Sequence, residues 1–282
     1  MRLKTKLWVI SVLAAATLAV SCSTGEGPPA PGTPKFYWAA AQETFLASNY
    51  TKASQHLEKV PRKEGEYADR VRPWRLILLS GLMQGYVNIA EGYEQGARNN
   101  KASPTRFRRG MSDFRSMSAQ QAMQFGEAYM EFEKQAGKGD VSIAFPFPSR
   151  GSLAMPPQMR RIAEGVILPP AEIEEGHRAM LERAVMEAVC QAVGAKGDAP
   201  RAQQLLKTPP IQVPRATFEL ALADALYGAG KLFGPAKLSQ PDRQEFFYDR
   251  VLSAIGTAPA DKDAKEWKAE IEKERKARKN AQ

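Results

Sequence analysis

From residue 35 onward, apolar side chains recur at steps of three and four, the spacing of one helix face. Residues 36–59 carry Ala39, Ala40 and Ala47 on a first helix and Tyr50, Ala53 and Leu57 on its follower, with Pro61 as the stop. A longer helix opens at Arg72-Pro73, where proline suits a first turn, and presents Trp74, Ile77, Leu78, Gly81, Leu82, Gly85, Tyr86, Ile89 and Tyr93. Ser103-Pro104 reads as the cap and first residue of the next, which aligns Phe107, Met111, Phe114, Ala122, Phe125, Tyr129 and Phe132. Further helices are predicted over residues 171–193, after Asp198-Ala199-Pro200, and over residues 216–233 and 241–255. The predicted fold class is all-α, built of antiparallel helical hairpins as an array or bundle.

Strand signals are few. Val141 to Phe145 alternates and Val166-Ile167-Leu168 is a short apolar run, each flanked by proline, so at most a two-stranded ribbon is expected. Both runs lie in residues 137–170, a long irregular connection rich in proline and glycine with room for one short helix at residues 157–165. Its Phe145, Phe147, Met155 and Met159 predict a packed excursion over a helical groove, with the two phenylalanines near Phe114 or Tyr86. The chain thus divides into residues 35–136, the connection 137–170, a second helical half 171–258 and a charged tail 259–282. That tail has only Trp267 and Ile271 as large apolar residues and is expected to be a solvated, fraying helix.

Composition narrows the function classes. The 282 residues are 43% hydrophobic and 25% charged, enough for a sizeable core. Two cysteines and two histidines leave no framework for a disulfide scaffold or a zinc ribbon, and no metal or cofactor is expected. Tyr227-Gly228-Ala229-Gly230-Lys231 resembles a phosphate loop only superficially, since Leu232 follows the lysine and no strand precedes. No G-x-S-x-G supports a hydrolase, and Glu174, Glu175 and His177 read as surface charge. The chain is therefore expected to be non-enzymatic.

The N-terminus carries its own signal. Arg2, Lys4 and Lys6 precede a 14-residue apolar stretch, residues 7–20, too short to span a membrane as a helix. The ending Leu18-Ala19-Val20-Ser21-Cys22 resembles a bacterial lipobox. The resemblance implies a lipoprotein signal peptide over residues 1–21, an acylated Cys22 as the mature N-terminus and, with Ser23 next, the periplasmic face of the outer membrane. Removing the three leading cations lowers the net charge from +9 to +6. Residues 22–34 are a Gly/Pro-rich tether that reaches roughly 35 Å when extended. Cys190, the remaining thiol, sits on an apolar helix and reads as a buried, inert residue.

Asn49-Tyr50-x-x-Ala53-x-x-x-Leu57-x-x-Val60 resembles the second helix of a tetratricopeptide repeat, with fainter echoes at Trp74-x-x-Ile77-Leu78-x-x-Gly81 and Gly197-Asp198-Ala199-Pro200-Arg201-Ala202-x-x-Leu205. A narrower resemblance, carried by Gly85-Tyr86-x-x-Ile89-Ala90-x-x-Tyr93 and an Arg-rich helix, is to the T component of tripartite periplasmic transporters. The first implies a protein-interaction scaffold for another periplasmic or envelope protein. The second implies a transport accessory holding a solute or its binding protein. Arg106, Arg108, Arg109 and Arg115 are the candidate anion-binding residues, and Phe145 and Phe147 the candidate partner-binding ones. An exported protein with interleaved charge signs is not expected to bind nucleic acid.

Overall fold

The computed structural model describes residues 29–62, 65, 67–135, 137, 139–148, 152–257 and 261–281. The signal segment, Cys22 and most of the tether lie outside them. The described residues form an all-α fold of helical hairpins with one tiny ribbon.

The first hairpin is α1 (Pro34–Leu46) and α2 (Tyr50–Glu58). Thr33 caps α1 by accepting from the Phe36 amide at 3.2 Å, with Pro34 just inside. Asn49 caps α2, accepting from the Lys52 amide at 3.3 Å. Tyr50, Ala53, Leu57 and Val60, the predicted stripe, are all buried.

The second hairpin is far longer: α3 (Ala68–Asn99) and α4 (Pro104–Gln135) have 32 residues each. The helix expected to open at Arg72-Pro73 begins four residues earlier. Burial explains the extension, because Ala68 and Val71 are inside the core and Arg72 is pinned by Asp69 and by the Arg62 carbonyl at 2.7 Å. Pro73 therefore sits inside the helix, where it has no N–H to give to the Asp69 carbonyl.

Beyond α4 come β1 (Val141–Ile143) and α5 (Pro157–Ala163). Then follow α6 (Pro170–Ala192), α7 (Ala199–Leu205) and β2 (Ile211–Val213). The chain closes with α8 (Arg215–Phe233), α9 (Pro241–Ala254) and α10 (Lys262–Ala281). The ribbon exists, but its second strand is not Val166-Ile167-Leu168. It is β2, antiparallel to β1 in the register Val141↔Val213, Ser142↔Gln212, Ile143↔Ile211. Leu168 is instead buried beside Phe107. The ribbon joins the irregular connection to the second half of the molecule, so residues 137–170 are stapled at a point 70 residues away in sequence.

The same connection carries Phe145 into the main core. Its ring stacks on Trp74 at 5.1 Å and meets Phe45 edge-on at 5.5 Å, and Trp74 in turn meets Trp38 at 5.0 Å. The expected site near Phe114 or Tyr86 is not where it goes. Those rings belong with a second apolar cluster at the far end of α3, built on Ile89, Tyr93, Phe107, Met159, Ile162, Leu168 and Met180. α3 runs through both clusters, and α4 and α6 accompany it, with Phe107 and Met180 in the second and Phe125 and Val185 in the first.

α3 crosses α6 through small residues. A Cβ on Gly81 would lie 2.7 Å from the Val185 Cα, and one on Gly85 would lie 2.8 Å from a Leu181 methyl and 3.2 Å from the Leu181 Cα. Such backbone proximity admits only glycine. α10, expected to be solvated, is docked. Ala264, Trp267 and Ile271 are buried, Trp267 stacks on Tyr227 at 5.9 Å, and its charges pair across helices, Lys231 with Glu270 at 3.0 Å and with Glu274 at 2.8 Å.

The crossing gives a direct stability test. Gly81→Ala should destabilise by about 1–3 kcal/mol through overpacking, although alanine is the better helix former. Gly228→Ala, where the nearest atom to the new methyl is a Gln84 side-chain oxygen at 3.5 Å, should be neutral or stabilising. Urea denaturation of the two variants checks the contrast; equal midpoints would mean the helices do not meet backbone to backbone.

Candidate functional site

The first half of α3 is buried all round, from Val71 to Met83 with hardly a break. Beyond it, one polar stripe emerges: Gln84 and Asn88 are half-buried and Glu91, Gln95 and Asn99 exposed, at steps of four, three, four and four, with the buried Ser80 at its head. This stripe floors two clefts. One, of about 360 Å³, is walled by Arg183, Glu187 and Gln191 of α6 and by Asp224, Tyr227 and Lys231 of α8. The other, of about 530 Å³, is walled by Met155 and by Met159 and Arg160 of α5. Asn88 and Arg183 line both, so the clefts form one groove. Its floor from Ser80 to Asn99 is roughly 28 Å long at helical rise, the length of about eight extended residues.

The lining is polar and largely fixed in place. Gln84 donates to Asn88 Oδ1 at 2.9 Å, and Asn99 donates to the Ala163 carbonyl at 2.7 Å. Arg183 donates through Nε to the Leu153 carbonyl at 2.7 Å. Lys237, from the α8–α9 connection, reaches over to Glu91 at 2.5 Å. Burial raises the Asp224 carboxyl above its ordinary value, against the opposing pull of Lys196 at 3.7 Å. Burial likewise raises the Tyr227 hydroxyl, reinforced by its hydrogen bond to Glu270. For Lys231, burial works against the charge, but Glu274 and Glu270 outweigh it and its pKa rises. The groove therefore presents carboxamides, each with a donor and an acceptor, between fixed charges of both signs. That chemistry suits the peptide groups of an extended chain. Among the described residues no group of three or more His, Cys, Asp or Glu is placed to hold a metal.

The sequence-predicted site residues lie elsewhere. Arg106, Arg108 and Arg109 are exposed on the first turns of α4. Arg115 is parted from them, half-buried and paired with Glu94 at 2.9 Å. The interleaved Phe107 and Phe114 point inward, to Tyr93 at 6.2 and 5.7 Å. Phe145 is core, Phe147 packs half-buried against it, and neither lines a described cleft. Cys190 is buried with its thiol pushed up to about 11, chiefly by burial, which fits the inert reading.

His177 departs from its surface reading. Its ring lies 4.6 Å from Phe114 edge-on, and its Nε2 is 3.1 Å from the Tyr93 hydroxyl. Burial pushes its pKa down to about 4. The reason is helical phase: Ile173, His177 and Met180 share the inward face of α6, whereas Glu174 and Glu175 are exposed. Comparison of the chain with family models, with curated proteins and with solved structures gives no match.

A depressed folded pKa means the unfolded chain takes up the proton first, so this contribution is complete above about pH 6.5 and is lost as pH falls toward 4. With allowance for solvent screening of a half-buried ring, the loss is on the order of 1–2 kcal/mol. Denaturation free energies at pH 7 and pH 4.5 should fall further for the wild type than for His177→Gln, and parallel losses would contradict the burial of this imidazole.

Proposed function

We propose that this chain is a lipid-anchored helical scaffold at the periplasmic face of the outer membrane, which binds an extended segment of another envelope protein in the groove along α3. The observation that carries the reading is the polar stripe Gln84, Asn88, Glu91, Gln95 and Asn99, which lines the clefts between α5, α6 and α8. A side chain buried in a helix bundle is ordinarily apolar, so a straight carboxamide stripe beside a full core is a surface kept polar for a polar occupant. The burial of Tyr50, Ala53 and Leu57, the residues that carry the tetratricopeptide resemblance, supports the same class of protein. The anchor rests on the lipobox at Cys22 and its Gly/Pro-rich tether. Clefts lined by charges and amides favour a peptide over a small apolar solute held in a transport accessory.

A photo-crosslinking amino acid placed at Gln84, Asn88 or Gln95 in the native host should trap one and the same envelope protein. Placed at exposed Lys268 it should trap none. Asn88→Arg should abolish trapping from position 84 without lowering the melting temperature. Trapping that ignores the groove, or survives Asn88→Arg, would overturn the reading. For the anchor, mass spectrometry of the mature protein should give acylated Cys22, and any other N-terminus would contradict it.

A further inference from the structure

Cations without a partner gather at one end of the molecule. From residue 99 to residue 112 the chain holds Lys101, Arg106, Arg108 and Arg109 and no acid. All four are exposed. Among the described residues none of them forms an ion pair, nor does Arg160 on α5. The nearby acids Glu94 and Glu172 are already taken, the first by Arg98 at 2.6 Å and Arg115 at 2.9 Å, the second by Arg161 at 2.5 Å. Asp113 and Glu164 are the unpaired acids closest in sequence, two against five.

The α5–α6 connection is fastened to this end. Asn100 donates through Nδ2 to the Gly165 carbonyl at 2.9 Å, and Gly165, at φ +88°, lies so close that a Cβ would be 2.9 Å from the Asn100 amide nitrogen. Leu168 is buried in one cluster with Phe107. Between those two fixed points, Val166 and Ile167 are held outward, 37% and 46% exposed. Two adjacent aliphatic side chains are thus presented at the end of the molecule that carries the unpaired cations.

We propose that this end, made of the α3–α4 connection, the first turns of α4 and the α5–α6 connection, is a membrane-contact surface for anionic phospholipid headgroups. Guanidinium groups bind phosphate through paired N–H donors, and each cation near an anionic bilayer adds about fivefold to partitioning. The aliphatic pair distinguishes a bilayer from an acidic protein, because it can enter the boundary between headgroups and acyl chains while the arginines stay at phosphate level. The dimensions agree with the anchor. Trp74, on which Trp38 of α1 packs, and Asn99 are about 38 Å apart along α3, and residues 22–34 reach roughly 35 Å when extended. A chain lipidated at Cys22 can therefore set this end on the same bilayer. The proposal itself does not need the groove to bind a partner.

Co-sedimentation tests it with the mature chain carrying Cys22→Ser, which removes the acyl contribution. Vesicles of phosphatidylcholine with about one third phosphatidylglycerol should bind the protein at 0.1 M salt at least tenfold more tightly than pure phosphatidylcholine. Binding should fall at least tenfold with Arg106→Gln, Arg108→Gln and Arg109→Gln combined, and severalfold with Val166→Ser and Ile167→Ser. These side chains are exposed, so unchanged melting temperatures are expected. Equal affinity for the two vesicles, or anionic binding untouched by the arginine variants, would overturn the proposal. Loss of binding in the arginine variant alone, with the serine pair without effect and soluble poly-glutamate competing fully, would assign the surface to an acidic protein instead. The crosslinks expected along α3 should persist in the arginine variant, so the two readings fail separately.

Discussion

Everything else in the molecule depends on how closely α3 and α6 approach. At Gly81 there is no room for a Cβ against the backbone of Val185, and at Gly85 a Cβ would press on the Leu181 side chain and lie 3.2 Å from its Cα. This distance fixes where the second half of the chain sits relative to the first. It brings Val185 and Val189 into the core that holds Trp74 and Leu78. It also sets the groove: with α6 drawn in at residues 81 and 85, the neighbouring stripe of α3 faces the gap between α6 and α8. Small residues recur where other helices meet: Gly126 of α4 faces the Phe246 and Phe247 rings of α9, and Gly110 faces Tyr93. Close approach exchanges side-chain volume for dispersion contacts along whole helices.

Much of the fold was legible in the residue pattern, and the exceptions have physical causes. Period and start signals located most of the helices, and Asp198 does cap the helix read after it, with Pro104, Pro157 and Pro241 at helix starts. Three features escaped. The strand Ile211–Val213 is too short and too closely flanked by proline to show a period of its own. The backward extension of α3 to Ala68 depends on burial, which no local propensity encodes. The docking of α10 depends on Trp267 and Ile271 finding a surface made by Tyr227 and its neighbours, a tertiary fact.

The site was less legible than the fold. Gln84, Asn88 and Gln95 look in sequence like the solvated face of an amphipathic helix. Their signal lay in spacing: Gln84, Asn88, Glu91, Gln95 and Asn99 recur at steps of four, three, four and four along one line of the helix. Phe145 and Phe147 drew notice as large rings in an irregular segment, and such rings serve the core by default. The four arginines were grouped as one anion-binding set, but Arg115, six residues past Arg109, falls within reach of Glu94 while Arg106, Arg108 and Arg109 stay exposed. The exposed arginines and the polar groove then lie along one helical spine, with Arg160 at the groove's wall.

The central claim is that α3 and α6 form one cooperative unit through the Gly81–Gly85 crossing. Native-state hydrogen exchange tests it most directly. The amides of residues 76–90 in α3 and 184–190 in α6 should exchange only through global unfolding, with one shared free energy and one shared denaturant dependence. Exchange of the α6 amides through a separate opening, at lower free energy and with α3 still protected, would contradict it.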